Sequence, residues 1–175
     1  MDWQEAIFTL IDMRSFSNLW FWIALAVLWS SASHWVLGVP YDMVVRARRN
    51  GGQAYQDLYD MVRINVNRIL YISRVSGLWL MGAVCFVLTI CGFLGFMYRV
   101  EFAQALFLLG LPMSFVGLIT MATAHRIERD DPQEDALFRR LTIHRTYVQI
   151  VGMVSIFVTA VWGMYQNLSV GPWGG

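Results

Sequence analysis

The sequence predicts an all-α, multi-pass membrane protein with four transmembrane helices and helical cytoplasmic extensions of spans two and four. Three observations carry this. First, 57% of the 175 residues are hydrophobic and only 14% are charged, against about 25% charged in soluble domains. Second, residues 75–97 carry no charge and are long enough to cross a bilayer. Third, the arginines collect beside such stretches rather than inside them. The length suits a single membrane domain, residues 1–175.

Residues 2–13 place Trp3, Ile7, Leu10 and Ile11 on one side and Asp2, Glu5, Thr9 and Asp12 on another. This is the pattern of a short amphipathic helix on the outer membrane surface. The acidic start and the late first apolar run do not resemble a cleavable signal peptide. Ser15, Ser17 and Asn18 are turn and cap residues. Span one is expected at 19–37, with Trp20, Trp22 and Trp35 as an interfacial aromatic belt and Gly38-Val39-Pro40 closing it. A basic segment follows at 41–50, and Gly51-Gly52 forms a hinge.

Residues 53–98 then read as one long helix. Its first half is polar, with Arg63, Arg68 and Arg74, and its apolar residues recur at three- and four-residue steps. Its second half is span two, 75–97. Tyr98-Arg99-Val100-Glu101 is a short turn, so span three, 102–124, must return antiparallel. Pro112 in its middle takes the usual hydrogen-bond donor away from the Leu108 carbonyl and should kink the helix. In the loop 125–145, Asp131-Pro132-Gln133-Glu134 has the form of a helix start, with Asp131 as cap and Glu134 reaching back. That helix is expected to run into span four, 146–165, leaving 166–175 as an outer tail with Trp173 at the interface.

The arginine distribution predicts orientation. Arg46, Arg48, Arg49, Arg63, Arg68, Arg74, Arg126, Arg129, Arg139, Arg140 and Arg145 flank the two long loops, while only Arg14 and Arg99 lie on the other side. The segments 38–74 and 125–145 are therefore expected in the cytoplasm of a bacterial inner membrane, with both termini periplasmic. Residues 63–68 read RINVNR and residues 140–145 read RLTIHR. Two span-loop-span units in one orientation would make a parallel repeat; the plainer account is that both solve the same problem of a helix passing from water into lipid.

Several function classes find no support. The net charge is +1 and no basic cluster suits base readout, so nucleic acid is not expected. No nucleophile triad, phosphate-cradling glycine loop or sheltered carboxylate pair is present, so the chain is not expected to be an enzyme. Cys85 and Cys91 stand six residues apart within span two, about 9 Å along a helix and too far for a mutual disulfide; they read as small apolar fillers. His34, His125 and His144 fall at one depth, at the cytoplasmic membrane edge, where they could hold a haem or a metal, but no carboxylate supports them. No cofactor is expected otherwise.

Small residues mark helix-packing positions: Ser30 on span one, Gly77 on span two, Gly110 and Ser114 on span three, and Ser155, Thr159 and Gly163 on span four. No span carries a charged residue between its ends, which favours packing over an ion path. The candidate partner-binding residues are Arg46, Arg48, Arg49, Arg63, Arg68, Arg139 and Arg140.

The run IDMRSFSNLWFWIALAVLWSSASHWVLGVPYDMVVRARRNGG, with RINVNRILYI and the terminal FVTAVWGMYQNLSVG, resembles a small family of alphaproteobacterial (Rhodobacterales-type) inner-membrane proteins labelled "component of SufBCD complex". The resemblance covers nearly the whole chain. It implies a link to iron–sulfur cluster assembly. With both cysteines in the bilayer, it implies a membrane docking or accessory component rather than a cluster scaffold, and no catalytic residue carries over. The leading expectation is a non-enzymatic accessory, assembly or docking protein in contact with membrane lipid and a protein partner. The alternatives are a homo-oligomeric channel or small-solute transporter, and a haem-binding membrane protein.

Overall fold

The computed structural model describes residues 15–132 and 134–169. The expected surface helix at 2–13, residues 170–175 with Trp173, and Gln133 lie outside the described residues. The described chain is all-α apart from one tiny hairpin. Among the described residues, three helices are long and apolar enough to cross a membrane.

A single 3-10 turn, Ser15–Ser17, leads into α1, Leu19–His34. The Asn18 side chain caps α1 by accepting a hydrogen bond from the Trp20 amide at 3.0 Å. At 16 residues, α1 extends about 24 Å, short of the roughly 30 Å hydrocarbon core. It stops three residues before the expected end of span one. There Trp35–Val36 (β1) pairs antiparallel with Val39–Pro40 (β2). The two-residue turn between them holds Leu37 at φ 53° and Gly38 at φ 76°, the positive pair that a type I′ hairpin needs. Glycine tolerates this freely and leucine does not. Leu37 is held there by burial, with 2% of its surface exposed.

The basic segment after the hairpin is a helix, α2, Tyr41–Asn50. Val44 and Ala47 turn inward while Arg46, Arg48 and Arg49 face out, which is why so polar a stretch folds here. Gly51 follows at φ 57°, ψ −154°, a backbone region that residues with a Cβ avoid.

Helix α3, Gly52–Met97, runs unbroken for 46 residues, about 69 Å. Its first part buries Leu58, Val62, Val66 and Leu70, a stripe at four-residue spacing; its apolar part buries only Cys91 and Gly95, near the far end. Residues 98–100 turn the chain, with the Val100 amide reaching back to the Leu94 carbonyl at 3.3 Å. Helix α4, Glu101–Asp130, continues through Pro112 and past the expected end of span three. Asp131 does not cap the following helix. It ends α4 in the left-handed conformation, its N–H bonded to the Ile127 carbonyl. Helix α5, Glu134–Ser169, begins after it, with the Glu134 amide donating to the Tyr59 neighbour Tyr55 at its hydroxyl rather than closing a capping box. α5 also continues beyond the expected end of span four.

In the apolar region α3 packs on α4, α4 on α5, and α5 on α1. Glycines allow close approaches between these helices. Gly95 lies against Gln104, Gly92 against Phe107, Gly110 against Leu88, Gly152 against Trp29, and Gly163 against Trp22 and Phe16. The main hydrophobic core lies at the other, polar end. It joins the hairpin (Val36, Leu37, Val39), α2, the first part of α3, the end of α4 (Ala124, Ile127) and the start of α5 (Leu137, Phe138, Leu141). The two RINVNR and RLTIHR segments belong to differently built units, since a hairpin and α2 separate α1 from α3 whereas a short turn separates α4 from α5.

Candidate functional site

The polar-end lobe exists because the apolar stripe on α3 continues past the uncharged run into a stretch rich in arginine and aspartate. Those charged residues stay outside while Leu58, Val62, Val66 and Leu70 close on the hairpin and on α4 and α5. Polar contacts lock the assembly. The Asn65 amide donates to the Gly38 carbonyl at 3.2 Å. Arg74 donates both of its bonds from one terminal nitrogen to Glu128, at 2.8 Å each. Arg140 reaches back to the Arg126 carbonyl at 2.8 Å and to Asp130.

This last cluster has an electrostatic signature. Hydrogen bonds from Arg129 and then Arg140 hold the Asp130 carboxyl down to about 2. The Tyr59 hydroxyl donates to Asp131 at 2.7 Å. That bond to a carboxylate, followed by burial, raises the phenol above its ordinary value.

A cleft of about 290 Å³ opens between α3, the end of α4 and the start of α5. Val62, Val66, Ile127 and Leu137 form its floor; Arg63, Asn67, Glu128 and Asp131 stand at its rim. Of the candidate partner-binding arginines, Arg46, Arg48, Arg49, Arg63, Arg68 and Arg139 are exposed. Arg63 lies 3.5 Å from Asp60 one turn away. Arg140 is a different case, since its guanidinium is spent inside the α4–α5 corner. Exposed apolar side chains, Met61, Ile64, Tyr71 and Ile72, lie on the same helix as Arg63 and Arg68.

The histidines have three separate environments. His34 is exposed beside Trp35. His125 is exposed, with Nδ1 4.0 Å from Glu128. His144 is buried, its Nδ1 3.2 Å from the Thr123 hydroxyl. That hydroxyl also lies 2.8 Å from the Ile119 carbonyl, within its own helix. Among the described residues no group of three or more His, Cys, Asp or Glu could hold a metal ion.

The small-residue positions divide. Gly110, Ser155, Thr159 and Gly163 lie in helix contacts or are buried, and Ser114 donates to the Gly110 carbonyl. Ser30 is exposed, and an added Cβ on Gly77 would meet only Ser73 of its own helix. Sequence reasoning missed Gly92, Gly95 and Gly152. It also missed Gln104. This residue is 2% exposed. Its amide donates to the Gly95 carbonyl at 2.8 Å and its oxygen accepts from Trp162 at 3.0 Å and from Gln166. A lone glutamine in an otherwise apolar run was the available signal. The buried hydroxyls of Ser155 and Thr159 have no hydrogen-bond partner among the described residues.

Compared with protein-family models, curated proteins and solved structures, the chain matches none.

Proposed function

We propose that the chain is a non-enzymatic inner-membrane docking or assembly protein with four spans, α1 being the short one, and both termini periplasmic. In this reading the polar-end lobe faces the cytoplasm and presents Arg46, Arg48, Arg49, Arg63, Arg68 and Arg139 to a protein partner. The observation that supports it is where the chain spends its packing. The hairpin, α2 and the ends of three long helices bury a shared core outside the uncharged runs, while no residue of 75–90 of α3 is fully buried. A chain that needed only to anchor itself would have no use for a built lobe with a charged face. The resemblance to the family labelled as a component of an iron–sulfur assembly complex makes such a cytoplasmic complex the first partner to look for.

The test is capture of the tagged protein from its native membrane, with and without Arg46, Arg49 and Arg68 changed to Gln. A protein complex recovered with the parent and lost with the triple variant is expected. Equal recovery by both, or no complex with either, overturns the reading.

The unpartnered hydroxyls of Ser155 and Thr159 favour a second reading, a homo-oligomeric small-solute channel or transporter. Mass measurement of the solubilised protein separates the two, since a closed ring of copies belongs to the channel alone.

A further inference from the structure

Arg145 is the last charged residue before an uncharged run, 146–165, on α5. Its counterpart on α3, Arg74, is neutralised by Glu128 at 2.8 Å. Arg145 has no such partner among the described residues. Its guanidinium carbon lies over the Tyr41 ring, 3.8 Å from the centroid, a cation–π distance. Its Nε is buried without a hydrogen bond. Its two terminal nitrogens bond to nothing among the described residues and are not enclosed. The result is a half-buried cation over one aromatic ring, whose terminal donors are unbonded among the described residues and not fully enclosed.

The surroundings fit an anion. Tyr41 is the first residue of α2, and Pro40 before it supplies no side-chain cap to the amides of that turn. Uncapped amides at a helix start carry partial positive charge. Asp42 is the one acidic residue in that turn, and it makes no ion pair with Arg145. Position along α5 selects the kind of anion. Arg145 stands where the helix changes from charged to uncharged, and Trp35, in the strand that packs against α5, is 52% exposed. An exposed tryptophan at such a level belongs to the headgroup layer. Guanidinium groups match phosphate oxygens in a two-pronged geometry that lysine lacks.

We propose that Arg145, held on the face of Tyr41 beside the start of α2, binds the phosphate of an anionic phospholipid headgroup. The site rests on α5 spanning the membrane and not on the identity of any protein partner. Its occupancy would fix α2 and the hairpin against the bilayer and so set the height of the lobe.

The test counts phosphatidylglycerol retained by the detergent-purified full chain in native mass spectrometry, with phosphatidylcholine and inorganic phosphate as competing arms. The parent is expected to hold phosphatidylglycerol that neither competitor displaces. Arg145→Gln should weaken it by about tenfold or more. Tyr41→Phe keeps the ring and should bind as the parent does, while Tyr41→Leu should bind less. Arg99→Gln, at the opposite end of the molecule, should change nothing. Folding of each variant is checked by circular dichroism and gel filtration. If Arg145→Gln does not fold, the Tyr41 pair carries the decision. Undiminished phosphatidylglycerol binding in a folded Arg145→Gln or Tyr41→Leu variant overturns the proposal. So does displacement by inorganic phosphate, which would make the ligand a soluble anion, or by phosphatidylcholine.

Discussion

Adding one methyl group at Gly95 should separate steric cost from helix propensity. A Cβ there would lie 2.9 Å from the Gln104 backbone nitrogen and 3.2 Å from its Cα. Backbone cannot swing aside as a side-chain tip can, so α3 and α4 must move apart. Overpacking of this kind costs about 1–3 kcal/mol. The same movement strains the Gln104 bonds to Gly95, Trp162 and Gln166, each worth about 0.6 kcal/mol between membrane helices. Against this, alanine gains about 1 kcal/mol over glycine within a helix. The net expectation for Gly95→Ala is a loss of about 1–3 kcal/mol. Gly82 supplies the reference, because an added Cβ meets nothing within 4 Å; Gly82→Ala should be neutral or stabilising by up to about 1 kcal/mol. Gly110→Ala should fall between, since its neighbour at 3.2 Å is the movable tip of Leu88. Reversible unfolding in mixed detergent micelles measures all three. If Gly95→Ala is as stable as Gly82→Ala, the close approach of α3 and α4 is not what the structure describes.

Three further outcomes are expected. The Asp130 carboxyl is held down to about 2 in the folded chain, below its ordinary 3.8. Its contribution to stability is therefore complete above the ordinary value and is lost as pH falls toward 2; melting curves from pH 5 to pH 2 should show the parent converging on Asp130→Asn. Leu37→Asn puts a favoured residue into the turn but removes a side chain that is 2% exposed, so it should destabilise by about 1–3 kcal/mol; a stabilised variant in chemical unfolding would mean that backbone strain outweighs burial there. A double-mutant cycle on Arg74→Gln and Glu128→Gln should give a coupling of about 0.2–1 kcal/mol that shrinks with added salt, because the Arg74 side chain is 63% exposed.

The sequence made the long helices legible because each is a long periodic or uncharged run between clear breaks. The single helix through Arg63 and Met97, the tight return at residues 98–100 and the hinge at Gly51 all follow from local rules. The places that were not legible depend on contacts between distant residues. Trp35–Pro40 looks like a helix end, yet it is a hairpin because Leu37 finds a buried place among α3, α4 and α5 residues that no local pattern reveals. Asp131 has the chemistry of an N-cap, and it ends the preceding helix because α4 extends to Asp130 to complete the lobe. Arg140 belongs by composition with the exposed arginines, but the turn back from α4 to α5 brings Asp130 and the Arg126 carbonyl to its guanidinium. For the same reason the pairing of Arg145 with Tyr41 was not foreseeable. They stand 104 positions apart in the sequence and meet only once α2 lies beside α5.

Helix α3 carries no proline over its 46 residues, and its glycines do not interrupt it. It therefore has the geometry of a lever. With a half-length of about 35 Å, a tilt of roughly 5° about its middle moves each end by about 3 Å. One end bears the arginine face of the lobe, and the other bears Gly95, seated on Gln104. A displacement at one end of α3 is thus matched at the other by one comparable to the width of a hydrogen bond.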